Sequence, residues 1–405
     1  MNDVTIVDAI CGKGKTSYAI QMMNNNQNDK FIYITPFLDE VKRVIDNCPN
    51  RYFEQPDEKK GKGSKLTDFN KMIADGKNIC STHALFRYAN QETFDNLLMD
   101  GDYVLILDEV VDVVEEMNIT KSDKEVLLNG KVEIAEDGKV IWVDKEYNGK
   151  LNEYKKLIEN GDVYLIHGTF LLWTFPAEIM RLFKHTYVLT YMFKGQMQRY
   201  YYDLNKINYE YKSVIKINDE YQLIKYQEYE DLSYLKELIN ICEDDKLNGI
   251  GKAKDKRSNP LSKSWYDNQY AKKLDGMKVL KNNTTNFFKN ICKSKSEDNM
   301  WTTFKDYISK CKGEGYTKGF VACNARATND YKHKKNLAYL INSFNNPRVL
   351  QFFIQRGIEI DEETYALSEL IQWMFRSQLR ENKPINIYIP SERMRNLLKN
   401  WLNES

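Results

Sequence analysis

Nothing in this 405-residue chain approaches the roughly 18 consecutive apolar residues that a membrane-spanning helix needs. The opening Met1-Asn2-Asp3-Val4-Thr5 has no basic segment leading into an apolar core, so no secretory signal is expected. Histidine is scarce, at four residues. The seven cysteines (11, 48, 80, 242, 292, 311 and 323) are scattered, odd in number and never in a CxxC pair. That pattern argues against structural zinc and a disulfide framework, and for a reduced protein in the cytoplasm of a bacterial host. One-signed charge is also missing. Lys and Arg number 59 against 58 Asp and Glu, a net of +1, so there is no basic coat and any nucleic-acid contact must come from a local patch.

What is present points to packed domains. Hydrophobic residues make up 42% and aromatics 13%, with 27 Tyr, a composition far from disorder and sufficient for two or three domains. The first half alternates short apolar runs with helical patterns. Val4–Ile10, Phe31–Thr35, Asn78–Thr82, Tyr103–Leu107, Val163–Ile166 and Tyr187–Thr190 read as strands, and Thr16–Met23 as a helix. Continuous apolar strands separated by helices predict a mainly parallel sheet covered on both faces. Around 120–160 the pattern breaks, and two strand-like runs flanking Glu136-Asp137-Gly138 predict an inserted β-ribbon. The pattern restarts after about Asn205, with Gly319–Cys323 and Ile385–Ile389 as buried strands. Residues 246–276 hold eight Lys or Arg against three Asp around a Gly/Ser/Asn/Pro-rich centre. They read as a surface loop, either solvated or tracking a nucleic-acid backbone.

Ala9-Ile10-Cys11-Gly12-Lys13-Gly14-Lys15-Thr16-Ser17 sits between an apolar strand and a helix, the context a phosphate loop requires. Glycines let backbone N–H groups wrap an anion, and the helix N-terminus adds partial positive charge. Lys15 would then reach the outer phosphates of ATP or GTP, and the Thr16 hydroxyl would ligate Mg²⁺. Gly61-Lys62-Gly63-Ser64-Lys65 looks similar but has no strand before it, and reads as a loop. Asp108-Glu109 closes the fourth apolar run. There Asp108 would hold Mg²⁺, and Glu109 would act as general base on the attacking water.

These two motifs resemble motifs I and II of the superfamily 2 helicases and translocases, the DEAD/DEAH-like group, and further segments follow in the family's order. Ile34-Thr35-Pro36 resembles motif Ia, and Ser81-Thr82-His83 the next nucleic-acid-contacting segment. Leu189-Thr190 resembles motif III, whose hydroxyl couples nucleotide state to the second domain. Asn324–Asn329 resembles motif V and Gln372–Arg380 motif VI. The resemblance implies two tandem RecA-like α/β domains, about 1–205 and 206–405, with ATP and Mg²⁺ in the cleft between them. It implies catalytic roles for Gln372, Arg376 and Arg380, and contacts to nucleic acid from Thr35, Thr82, His83, Arg326 and Thr328. Motif VI departs from the family in having Phe375 before Arg376 and the second Arg four residues on. On a helix, i and i+4 share a face, which would still aim both at one phosphate cluster. His83 reads equally as a contact or as a structural histidine, and Tyr200-Tyr201-Tyr202 as a stacking platform or as packing.

The expected function is a nucleic-acid-dependent ATPase, a helicase or single-strand translocase acting on single-stranded DNA, with RNA as the alternative. Asn324–Asn329 and Tyr388–Arg395 resemble phage-encoded members. Three rivals remain: a remodelling ATPase that separates no strands, a P-loop kinase or switch that never touches nucleic acid, and a regulatory module with a vestigial ATPase.

Overall fold

The computed structural model of the chain describes residues 3–100, 102–228, 231–255, 258–323 and 330–404. The chain divides into two compact units: Met1–Tyr226 with Asn346–Ile360, and Gln227–Asn345 with Asp361–Ser405.

In the first unit the strands are, in chain order, β1 (Asp3–Asp8), β2 (Lys30–Thr35), β3 (Ile79–Thr82), β4 (Tyr103–Asp108), β5 (Val114–Glu116), β6 (Val132–Ile134), β7 (Val140–Trp142), β8 (Asp162–Ile166), β9 (Phe170–Thr174), β10 (His185–Thr190), β11 (Tyr209–Ile217) and β12 (Glu220–Lys225). A seven-stranded sheet runs β12-β11-β1-β10-β4-β2-β3. It is parallel except for β12, which returns antiparallel to β11 through the left-handed pair Asn218 and Asp219. Successive strand residues enter opposite layers. Ile32, Ile34, Leu105 and Leu107 pack with Phe69 and Ile73. Phe31, Tyr33, Val104 and Ile106 pack with Ala19 and Met23 of the helix Lys15–Asn25 and with Val41 and Val44 of Leu38–Asn47. Burial on both faces is why these runs lack polar alternation. The late strand β10 slots between β1 and β4, the strand order of a RecA-like core. It sets the C-terminal ends of β1, β10 and β4 side by side.

Several expectations change here. The boundary at 205/206 falls inside the first unit, because β11 pairs with β1 and brings the β11–β12 hairpin with it. Val163–Ile166 is not in the parallel sheet. It turns at His167-Gly168, both left-handed, and pairs antiparallel with β9, forming the separate sheet β5-β9-β8. The ribbon at 120–160 is present as the hairpin β6–β7. Tyr200, Tyr201 and Tyr202 are fully buried in the core, so they pack and offer no stacking face. Residues 346–360, distant in sequence, belong to this unit. Their helix Pro347–Ile354 carries Val349, Leu350, Phe352 and Phe353 into its core, with Phe352 against Tyr164 and Phe353 against Tyr200.

In the second unit β13 (Ile239–Ile241), β14 (Asn299–Thr302), β15 (Asn336–Tyr339) and β16 (Ile385–Tyr388) form a parallel sheet in the order β13-β16-β15-β14. Trp301, Ala338, Leu340 and Tyr388 pack on Leu280, Phe287 and Phe288. Gly319–Cys323 is not a strand. It meets the edge strand β14 at one bridge, Phe320 to Trp301, and residues 324–329 beyond it lie outside the described residues. The basic segment 246–276 is not a plain loop either, since it holds the helix Lys263–Ala271, capped by the Ser262 hydroxyl. Among the described residues, no helix is long and apolar enough to cross a membrane.

Candidate functional site

The loop Ile10–Gly14 leaves the end of β1 and turns into the helix Lys15–Asn25. Gly12 and Gly14 take φ of 89° and 98°, a region that strains any side chain. At Gly14 a Cβ would also lie 2.0 Å from the Tyr221 ring on β12. Lys13 and Tyr18 donate their N–H groups to Ile10 and Gly14 carbonyls. Those of Gly12, Gly14, Lys15 and Thr16 donate to nothing among the described residues. Four converging donors at a helix N-terminus form an anion cradle. The buried Lys15 ammonium is folded back, donating to Ala9 O at 2.5 Å and Ile10 O at 3.3 Å. Lys13 is exposed and Ser17 half-buried in the first helical turn.

Asp108, at the end of β4, faces this loop across the sheet. Thr16 Oγ1 lies 3.3 Å from Asp108 Oδ1, and the Tyr33 hydroxyl donates to Oδ2 at 2.9 Å. Burial, followed by the charge of Glu109, raises the Asp108 carboxyl to about 7, against the Tyr33 hydrogen bond. Glu109 stands in the left-handed region at φ 68°, its N–H bonded to Leu189 O at 2.9 Å. Its Oε2 takes a long hydrogen bond, 3.4 Å, from the Thr190 hydroxyl at the end of β10. The left-handed turn aims the Glu109 side chain beside its neighbour's, where two successive strand residues would point apart. A hydroxyl and a carboxylate facing one another across the loop are the hard oxygen donors that Mg²⁺ takes, so the residues fit that ion.

The other predicted residues distribute unevenly. Thr35 is fully buried with its hydroxyl unbonded among the described residues, so it cannot touch nucleic acid in this arrangement. Thr82 and His83 are half-buried at the end of β3. The His83 Nε2 lies 3.0 Å from the Asp108 carbonyl, which displays the structural reading of that ring. In the second unit, Gln372 is half-buried in the helix Glu362–Met374. That helix ends at Met374. Arg376 lies buried in the turn after it, and Arg380 is exposed in a short 3₁₀ turn, Gln378–Glu381. Arg376 and Arg380 therefore do not share a helical face, because the helix ends at Met374 and Ser377 caps the next turn. Arg326 and Thr328 lie outside the described residues.

Three residues were not anticipated. Tyr33 holds Asp108, as above. Asp8, at the end of β1, accepts both the Met192 and Phe193 N–H groups at 2.8 Å and anchors the loop after Thr190. The buried Gln198 accepts from Val111 N–H at 2.9 Å and donates to the Tyr202 hydroxyl at 2.7 Å, fixing the chain just beyond Glu109. Asp8 had a visible signal: it closes an apolar strand as Asp108 does.

Residues 233–402 match the YonV C-terminal Rossmann-like domain, and residues 114–173 match the YonV middle domain. The second match spans β5 to β9, and so takes in the ribbon and the three-stranded sheet. Over 416 residues the chain is 44% identical to the SPbeta prophage-derived protein YonV of Bacillus subtilis (strain 168), covering 99% of each. The solved structure of S. tokodaii Xpd4 is similar over 100% of this chain and 94% of its own, with a TM-score of 0.48 and 10% identity.

Proposed function

The chain belongs to the YonV family, and we propose that it is a nucleic-acid-dependent ATPase that works as a helicase or single-strand translocase. One observation carries the reading: unbonded loop amides, Lys15, the Thr16–Asp108 pair and the Thr190–Glu109 pair converge at the ends of three neighbouring strands. The family-like segments at 81–83, 324–329 and 372–380 support action on nucleic acid over the kinase or switch reading. A prophage-derived relative fits work on phage nucleic acid.

In this reading the N–H groups of Gly12, Gly14, Lys15 and Thr16 donate to phosphate oxygens, and Lys15 exchanges its carbonyl partners for the outer phosphates. Mg²⁺, held by Thr16 and Asp108, would neutralise charge on the transferring phosphoryl group. A cation held there would favour the ionised form of Asp108, whose carboxyl pKa is otherwise raised by burial and by the Glu109 charge. Glu109 takes the proton of the attacking water, with Thr190 holding the carboxylate in place. Either Arg376 or Arg380 supplies the charge that meets the transition state. Thr82, Arg326 and Thr328 remain the residues assigned to nucleic-acid phosphates, while Thr35 and His83 drop out.

Phosphate release from Mg-ATP, measured with and without single-stranded DNA and RNA, tests this. Stimulated turnover is expected in the intact chain and none in Lys15→Ala. Glu109→Gln should bind Mg-ATP yet lose about a hundredfold or more in turnover. Turnover indifferent to both nucleic acids would remove the nucleic-acid half of the proposal, and wild-type turnover in Lys15→Ala would remove the rest. A partial-duplex unwinding assay separates strand separation from remodelling.

A further inference from the structure

The basic segment 246–276 encloses a cavity of about 600 Å³ within the second unit, inside the roughly 300–1,000 Å³ span of small-ligand clefts. We infer that it receives one nucleotide of a single-stranded nucleic acid, its phosphate met by Lys252 and Lys254 and its base laid against Trp265. This deepens the proposed function and rests on its nucleic-acid half.

Among the described residues the lining has no carboxylate, an unusual outcome for a chain as rich in acids as in bases. Lys252 and Lys254 are exposed and form no ion pair among the described residues. Among the nearby acids, Asp267 is already engaged, since it takes Lys263 at 3.0 Å and the Tyr307 hydroxyl. The two lysines therefore present positive charge to the cavity.

Trp265 supplies a flat wall whose orientation is set from behind. Its ring meets Tyr266 edge-on at 4.9 Å and 86°, and Tyr266 is buried, with its hydroxyl donating to Leu340 O at 2.7 Å. An indole held this way loses little freedom on stacking. Beside it, Gln269 Oε1 accepts from Gly276 N–H at 2.9 Å. Its Nε2 donates to nothing among the described residues, and the Asn268 and Asn259 amides are likewise unbonded there. Gly276 permits this closeness, because a Cβ would sit 2.3 Å from Gln269 Oε1 and 2.9 Å from the Trp265 ring. Lysines for a phosphate, an aromatic face for a base and primary amides for its edge are the three chemistries one nucleotide needs. An acidic peptide would use the lysines and leave the indole and amides idle.

The test is fluorescence anisotropy of a fluorescein-labelled oligothymidylate against the full chain, titrated with salt, with melting temperatures recorded for every variant. Trp265→Ala should weaken binding about ten- to hundredfold, and Trp265→Phe should restore most of it. The double variant Lys252→Ser with Lys254→Ser changes only exposed side chains. It should lower the slope of log affinity against log salt by about 1.4, the share of two phosphate contacts on a single strand. Binding by the intact chain that neither set alters would overturn the pocket and leave the proposed function standing. No binding by the intact chain would overturn both. Tight binding of a polyglutamate peptide lost in the lysine variant, with oligothymidylate unaffected, would assign the site to an acidic partner and sink the inference.

Discussion

Replacing Gly14 by alanine puts two separable loads on the loop between β1 and the helix Lys15–Asn25, and their sizes follow from the geometry. The first is backbone strain. At φ 98° an L-residue carries about 1–2 kcal/mol, whatever the surrounding space. The second is a clash, with the new methyl falling 2.0, 2.6 and 2.9 Å from three atoms of the Tyr221 ring. Tyr221 cannot retreat with its strand, because its N–H and carbonyl are both bonded to the Gln21 side chain. The ring must swing alone, an overpacking load of about 1–3 kcal/mol. Together they predict about 2–5 kcal/mol lost, a large part of the roughly 5–15 kcal/mol that holds a domain folded. At about 2–4 °C per kcal/mol, the first unit should melt on the order of 10 °C lower. Urea denaturation followed by tryptophan fluorescence measures it, and repeating it in a Tyr221→Ala background divides it. There the clash is gone and only the strain remains, so Gly14→Ala should destabilise by about 1–2 kcal/mol. A coupling of about 1–3 kcal/mol between the two sites is expected. Additivity to within about 0.5 kcal/mol would show that the ring does not press on the loop, and the reasoning would fail.

Thr190→Val keeps the buried shape of β10 and removes the hydroxyl on Glu109. The 3.4 Å separation places the bond at the weak end of those to charged groups, so about a tenfold loss in ATP turnover with an unchanged melting temperature is expected. Unchanged turnover would mean that the hydroxyl does not hold the base. Asp8→Asn sets an NH₂ group against the Met192 or Phe193 N–H and should destabilise by about 2 kcal/mol in urea denaturation, whereas a neutral result would discount Asp8 as the anchor of that loop. The two arginines should separate by readout. Arg380→Ala, at an exposed position, should melt as wild type and, if it is the finger, lose about a thousandfold in turnover; Arg376→Ala should lower the melting temperature as well, because it empties a buried site. Equal turnover in both single variants and wild type would remove an arginine finger from the mechanism.

Much of the first unit was legible because its signals are contiguous. A strand buried on both faces is a continuous apolar run, and a phosphate loop needs its glycines and lysine at consecutive positions. Reading therefore succeeded for β1, β2, β3, β4 and β10 and for the strand–loop–helix order around Gly12–Thr16. It failed where partners lie far apart. Nothing local marks Val163–Ile166 as antiparallel; that follows from the His167-Gly168 turn and the run Phe170–Thr174 after it. The helix Pro347–Ile354 is as apolar as any core helix, and no pattern within it says which unit it completes. The arginines failed differently. Helical spacing was assumed through a segment that Ser377 and the turn at Arg376 interrupt.

The two aspartates that close β1 and β4 show why a site is harder to read than its fold. Each ends an apolar strand and each is buried, so sequence pattern alone does not distinguish them. Their partners do. Asp8 accepts backbone N–H groups, one on each oxygen, and backbone donors in a formed loop do not turn aside for an ion. Asp108 meets two hydroxyls, of Thr16 and Tyr33. A hydroxyl rotates from donor to acceptor, so Thr16 can turn its lone pairs to the same cation that Asp108 would bind. The two N–H donors stabilise the ionised Asp8 carboxylate. Asp108 keeps a raised value because two hydroxyls offset less of its buried charge, with Glu109 adding more. The position of β10 creates the difference. By lying between β1 and β4 it delivers the Met192–Phe193 amides to one aspartate and leaves the other facing Thr16 and the loop before it.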